Sequence, residues 1–444
     1  MLTRLKEKLH LDKSVYYGVL NKFWLFITGP ITIFLIISFF SKETQGFYYS
    51  IYSLLAFRVF IELGLSNVAI QFSSHEWAYL SLSKEGEVQG GKQSIARLVT
   101  LGRYLFKWFF ICSLFYMFVL YGVGFFTFYD NESLIAWKAV WAGICILSTI
   151  EILTIPAMAL LQGCGQLKDV YKLQLIDTIA SRFVAWVIIL SGGGLWAIFG
   201  YYFCNILISI IFLFKKRRFF KVFKKDLKSN FNWKDEIFPM QWRIALSSIC
   251  GYFTFSIFVP VSMKFFGAEQ AGQLGLSLNL ISMMFAVACI WFNVKVPEFG
   301  ELISKKKYDE LDSLFFSVYK VFIFIIIAGA LLLSLSIFLI NIYGFQFSER
   351  FLPLADFNIF LTGYFFMYIS WPFSLYLRCH KKEPLLIASI IGSILIGGCT
   401  VFSGMYYNIS VMACLYSAVN LLFVPIIFFI WKGLREKWHF VESS

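Results

Sequence analysis

Gly194–Phe214 reads GLWAIFGYYFCNILISIIFLF, and Lys215–Lys228 follows at once as KKRRFFKVFKKDLK. The first stretch is long enough to cross a hydrocarbon core as a helix, which takes roughly 20 apolar residues. The second packs eight cations into one connection, the kind of segment that stays on the cytoplasmic face during membrane insertion.

Outward from this boundary the pattern repeats along the chain. Twelve apolar runs fall near 16–40, 47–72, 100–128, 135–162, 171–191, 194–214, 241–263, 272–297, 316–343, 355–377, 385–403 and 408–431. Lys and Arg concentrate in every second connection, beginning with the N-terminal tail, while the alternate loops hold only Lys42, Lys264 and Arg350. Both termini are therefore expected on the cytoplasmic side. The basic start, Met1–Lys13, leads into a run too long for a cleaved signal, so the first span is expected to be a retained signal anchor. The runs are continuous rather than alternating, which argues against barrel strands. An all-α polytopic membrane protein is the expected fold.

Composition agrees. The 444 residues are 59% hydrophobic and 15% charged, with mean hydropathy +0.73, whereas soluble domains carry about a quarter charged residues. The net charge of +13 is accounted for by the topology, so no nucleic-acid partner is expected. The cluster at 215–228, with Phe219, Phe220 and Phe223 interleaved, is expected to lie on the anionic membrane surface. No loop is long enough for a soluble catalytic domain and no phosphate-binding GxxxxGK[ST] loop occurs, which argues against an enzyme and against ATP-driven transport by this chain alone. Nine Cys, among them Cys112, Cys145, Cys250 and Cys289, lack metal-ligand spacing. The four His, His10, His75, His380 and His439, fall outside the spans, which excludes a histidine relay within the membrane. No metal site or cofactor is expected.

An internal repeat divides the chain. Phe39, Phe40, Glu43 and Gly46 align with Phe265, Phe266, Glu269 and Gly272 at an offset of 226, with Leu54 and Leu280 in register; Pro156 and Leu161 align with Pro372 and Leu377 at an offset of 216. Six spans per half give both halves one orientation, hence a parallel repeat about the membrane normal. The expected domains are a six-helix bundle over 1–214, a basic linker over 215–240, a second six-helix bundle over 241–432 and a tail over 433–444.

Charges inside spans are costly and mark cavities or relays. Here they are Arg58 and Glu62 in the second span, Glu151 in the fourth, and Asp177 and Arg182 in the fifth. The repeat places Met284, Ala288, Met367 and Gly398 where the first half has Arg58, Glu62, Glu151 and Arg182. Arg58 and Glu62 are four apart and within pairing distance, so either they neutralise each other or Arg58 meets a phosphate or carboxylate. Glu151 is open to pairing with Arg182 or to an ion-coupling role. Asp177 and Arg182 are five apart and point in different directions. Lys22 and Lys295, with Glu298 nearby, lie toward span ends, where they snorkel or line a cavity mouth. Gly29-Pro30 and Pro260 interrupt the first and seventh spans, as hinges or as static bends.

The two six-helix halves, together with Gly46-Phe-Tyr-Tyr-Ser-Ile-Tyr-Ser-Leu-Leu55, Ile61-Glu-Leu-Gly-Leu65, Gln71-Phe72, Leu161-Gln-Gly163 and Ala271-Gly272, resemble polysaccharide transporters of the O-antigen flippase type. Their superfamily also holds multidrug (MATE) exporters and the lipid II flippase. The resemblance implies a MATE-like fold in a bacterial inner membrane. It further implies alternating access, driven by H+ or Na+, that moves undecaprenyl-pyrophosphate-linked repeat units to the periplasmic leaflet for O-antigen, lipopolysaccharide or capsule synthesis. Expected partners are the lipid-linked oligosaccharide, membrane lipids, a polysaccharide polymerase and a chain-length regulator. Members often line their cavity with Arg or Lys; this chain has two clear mid-span cations among three carboxylates, which suits a neutral or weakly acidic glycan. A cation-coupled drug exporter using Glu151 is the alternative within the superfamily, and a non-transporting scaffold the alternative outside it.

Overall fold

The computed structural model describes residues 13–130, 135–225, 227, 237–345, 347–380 and 382–441. His10, Lys228, much of the 226–236 stretch of the expected linker and the end of the expected tail lie outside them. The protein is a multi-pass, all-helical membrane chain. Among the described residues eight helical runs are long and apolar enough to cross a membrane, or ten when each of two bent pairs counts as one span. The Trp137–Leu190 run among the eight holds two helices, because the chain leaves helical geometry at Cys164 and at Gly165. Leu354–Cys379 is helical but is not among the apolar eight.

In chain order the helices are α1 (Lys13–Phe39), α2 (Lys42–Leu55), α3 (Val59–Glu62), α4 (Leu65–Trp77), α5 (Lys92–Phe128), α6 (Trp137–Leu161), α7 (Leu167–Leu190), α8 (Trp196–Lys215), α9 (Arg217–Phe220), α10 (Phe238–Phe255), α11 (Phe258–Phe265), α12 (Ala268–Ser304), α13 (Tyr308–Ile342), α14 (Leu354–Cys379), α15 (Leu386–Tyr406) and α16 (Ile409–Val441). A two-stranded antiparallel hairpin, β1 (Leu80–Leu82) with β2 (Val88–Gly90), joins α4 to α5 and was not expected from the sequence. At the repeat offset, α1 and α11 end at Phe39 and Phe265, and α2 and α12 open at Lys42 and Ala268.

The chain divides into two compact units, one holding the residues up to Thr44 with Leu54–Ile249, the other Gln45–Ser53 with Cys250 onward. In the first, α1 lies along α7, α7 along α8, and α6 along both α5 and α8. The second span is broken here: a 3-10 turn at Ala56–Arg58 precedes α3, and Leu63 and Gly64 then take φ +44° and +71°. Glycine fits position 64 twice over, since a side chain there would be strained and would meet Ile244. The break frees backbone carbonyls in the span, which need partners in a membrane. Two α5 side chains supply them: Trp108 Nε1 donates to Ile61 O at 3.1 Å and the Tyr116 hydroxyl to Leu55 O at 3.5 Å.

The cationic segment after α8 turns its aromatic residues inward. Phe219 and Phe223 are buried, Phe223 against Gly102 and Phe106, Phe219 beside Trp77. Arg103 on α5 donates to Phe223 O at 3.0 Å and to Lys225 O at 2.8 Å. Phe219 and Phe223 therefore pack against protein, while Arg217, Arg218, Lys221, Lys224 and Lys225 are exposed.

In the second unit α14 lies along α16, α12 along α13 and α15 along α16. Residues 45–53 belong to it through tight contacts. A side chain on Gly46 would collide with the backbone of Ala268, and Gln45 Nε2 donates to Gly272 O at 2.9 Å. α1 runs unbroken through Gly29 and Pro30. Pro260 sits in the first turn of α11, where a missing N–H costs nothing; the 44° bend lies just before it, between Phe255 and Phe258. α16 continues as helix through Val441, past the expected end of the bundle at 432. Its last turns meet Asp312 of α13, which lies 3.2 Å from Arg435 Nε and 3.6 Å from His439 Nδ1 and accepts from the Tyr376 hydroxyl at 2.8 Å.

Candidate functional site

The first unit gathers the mid-span charges. Arg58, at the end of the 3-10 turn, places Nη1 3.5 Å from Glu151 Oε1 on α6. Pairings of Arg58 with Glu62 and of Glu151 with Arg182 are open alternatives in the sequence; the structure instead pairs Arg58 with Glu151. The reason is the local backbone: Arg58 leaves a 3-10 turn rather than a regular helix, so its side chain reaches across to α6, while Glu62 closes α3 immediately before the left-handed Leu63. Half of the Arg58 side chain is accessible, against 22% of that of Glu151.

Asp177 and Arg182, both on α7, take separate partners. Asp177 accepts from the Ser181 hydroxyl at 2.9 Å and from Asn205 Nδ2 of α8 at 2.5 Å. Arg182 Nη1 donates to Thr32 Oγ1 of α1 at 3.5 Å, and Trp186 Nε1 donates to the same oxygen at 3.0 Å. Arg182 Nε is enclosed without a partner. Tyr201 on α8 is in electrostatic range of Asp177, Arg182, Glu151 and Arg58, so four helices contribute to one polar interior.

The remaining candidates stand outside this group. Lys22 is exposed on α1. Lys295 belongs to the second unit, where its ammonium is 2.8 Å from Glu298. Sequence reading missed Asn205, Thr32, Trp186 and Tyr201. Asn205 was the one with a signal, an amide inside the apolar stretch of α8; Thr32 and Trp186 are common span residues whose importance lies in what Arg182 reaches.

Chemically, the group offers one guanidinium held by a carboxylate, a second with no carboxylate partner among the described residues, and a carboxylate satisfied by neutral donors. Such a set can bind an anionic headgroup or admit a cation beside Asp177 or Glu151, depending on which side chain releases its partner.

No protein-family model and no curated protein matches the chain. Solved structures do. A multidrug-resistance MATE transporter of the MOP superfamily in its inward-facing conformation matches with TM-score 0.63 at 11% identity, over 92% of this chain and 94% of that one. The chain has the MATE transporter fold. The lipid II flippase MurJ in an inward closed conformation matches with TM-score 0.57 at 15% identity, over 94% and 87%. The MATE multidrug transporter DinF-BH, in complex with a ligand, matches with TM-score 0.58 at 12% identity, over 94% of each. All three are transporters or flippases rather than enzymes.

Proposed function

We propose that the chain is a flippase. It moves undecaprenyl-pyrophosphate-linked oligosaccharide repeat units from the cytoplasmic to the periplasmic leaflet of a bacterial inner membrane by alternating access, for O-antigen or capsular polysaccharide synthesis. Arg58 and Arg182, assisted by Lys22 and Lys295 toward the span ends, meet the pyrophosphate or acidic sugar groups. Glu62, Glu151 and Asp177 orient those cations or hold the coupling cation, H+ or Na+. Gly29, Pro30 and Pro260 are the hinge positions, and the two six-helix halves are the moving bodies.

The observation that supports this reading most is Arg182, a mid-span guanidinium whose polar neighbour is a threonine hydroxyl rather than a carboxylate. An arginine in a span is tolerated when it faces water, a partner or a ligand. The test is gene deletion followed by gel analysis of surface polysaccharide and extraction of lipid-linked repeat units. Loss of surface glycan with repeat units accumulating, reproduced by Arg58→Ala and Arg182→Ala at normal membrane levels, is the expected result. Wild-type glycan from both variants would overturn the site assignment.

A second reading is favoured by Glu151, a mid-span carboxylate of the kind a cation-coupled exporter needs. On that reading deletion leaves surface glycan unchanged and raises sensitivity to cationic dyes.

A further inference from the structure

Three aromatic rings cluster between α1 and α7 in the first unit, and one of them, Trp186, shares the Thr32 hydroxyl with Arg182. Trp24 of α1 lies 5.9 Å from Phe183 and 6.5 Å from Trp186 of α7, and Phe183 lies 5.4 Å from Trp186. The ring faces are not sealed: Phe183 keeps half its surface accessible, and Trp24 and Trp186 are each partly open. Ring packing between two helices would explain this much alone.

It does not explain the polar atoms on the same stretches of α1 and α7. Trp24 Nε1, Arg182 Nε and Asn21 Oδ1, which is one turn from Trp24 on α1, are enclosed without hydrogen-bond partners among the described residues. Other indoles of the same unit are satisfied: Trp108 donates to Ile61 O, Trp141 to Tyr121 O and Trp186 to Thr32. Enclosed polar groups left unpaired in a native fold call for an explanation, and aromatic walls with a few converging polar groups are the usual composition of a ligand pocket.

We propose that Trp24, Phe183 and Trp186, with Arg182 and Asn21, form a subsite for one pyranose ring of the transported glycan; this rests on the flippase reading above. A polyprenyl chain offers only apolar surface, and a pyrophosphate offers only acceptors. A pyranose presents an apolar C–H face to the rings, while its hydroxyls both accept, from the indole and guanidinium N–H, and donate, to the Asn21 amide oxygen. Small side-chain rotations that bring these enclosed atoms to the sugar exchange unpaired groups for paired ones, so the ligand itself favours the opening. The subsite is tolerant of sugar identity, because every hexopyranose has a C–H face.

The test is calorimetric binding to the full chain in nanodiscs with two water-soluble probes, citronellyl-pyrophosphoryl-N-acetylglucosamine and citronellyl pyrophosphate without sugar. The wild-type chain is expected to bind the sugar-bearing probe about tenfold more tightly. Trp24→Leu is expected to erase that preference while leaving the sugarless probe unaffected. Trp24→Phe, which keeps a ring and the fold but loses the N–H, is expected to retain part of it. Equal binding of the two probes by the wild-type chain overturns the subsite and leaves the flippase reading standing. An undiminished preference in Trp24→Leu likewise overturns it. Binding of neither probe up to about 1 mM overturns the flippase reading and the subsite with it.

Discussion

In the first unit Arg58, Glu151, Asp177 and Arg182 sit inside the apolar stretches of their helices, whereas in the second Asp312, with Arg435 and His439 beside it, lies where α13 begins and α16 ends. At the repeat-matched positions of the second unit the interior is apolar and aromatic. Ala288 is buried beside Phe285, whose ring stacks on Tyr368 at 4.3 Å, and Met367 meets the Tyr416 hydroxyl. Stacked rings need no counter-charge, so this unit is stabilised by packing at depth and keeps its ions near water. The first unit carries a standing electrostatic cost at depth, which evolution keeps where binding or coupling needs it.

The sharpest way to break this contrast is at Arg58. Arg58→Ala leaves Glu151 without its cation, and the expected outcome is at least a tenfold loss of surface glycan at normal membrane levels, read on gels against protein abundance. The exchange Arg58→Glu with Glu151→Arg restores a pair and separates two roles. If the pair only stabilises the unit, glycan returns; if Arg58 meets substrate, it does not. Return of full glycan with the exchanged pair would remove Arg58 from the substrate path.

The counterpart in the second unit is Asp312→Ala. This removes the acceptor of the Tyr376 hydroxyl and the counter-ion of Arg435. Because these side chains are partly accessible, the cost is about 2 kcal/mol, below the full penalty for a sealed pair. Thermal unfolding in detergent is expected to shift downward by a few degrees, with surface glycan falling only in proportion to folded protein. A glycan defect as large as that of Arg58→Ala, at unchanged stability, would erase the distinction between the two regions.

A smaller effect is expected at Asn205. Asn205→Leu removes a donor from Asp177 and costs about 1–2 kcal/mol, while Asn205→Ser, which keeps a donor, is expected to recover part of it. Equal unfolding curves for Asn205→Leu and wild type would mean that Asp177 draws its support from Ser181 alone.

How legible these two regions were depends on what hydropathy reports. The apolar runs fixed where helices cross, because a span must be long and apolar. They did not show that α5, α12, α13 and α16 extend well beyond those runs, since a helix continues into polar surroundings without an apolar signal. The four-residue spacing of Arg58 and Glu62 left their pairing open; the 3-10 turn and the left-handed Leu63, a non-glycine residue in a glycine-favoured conformation, which decide against it, carry no such signature. The charges themselves were readable. Their neutral partners, Asn205 and Thr32, were not, because amides and hydroxyls are ordinary in spans and become informative only when a charge is seen to reach them.

The smallest effect is expected at a surface pair of the second unit. Lys305 and Glu301 approach to 2.5 Å and both side chains are more than half accessible. Glu301 holds the Lys305 ammonium above its ordinary range, first through the hydrogen bond and then through charge. A raised ammonium contributes fully below the ordinary range and loses that contribution only as pH rises through the raised value, so between about pH 6 and 8 the pair's contribution is constant. It is also small, because exposed pairs are screened by water and salt. Lys305→Ala is therefore expected to leave the unfolding curve and the glycan unchanged across that window. A pH-dependent loss of stability there would mean that Lys305 answers to a group other than Glu301, and that the second unit keeps a functional charge at its helix ends after all.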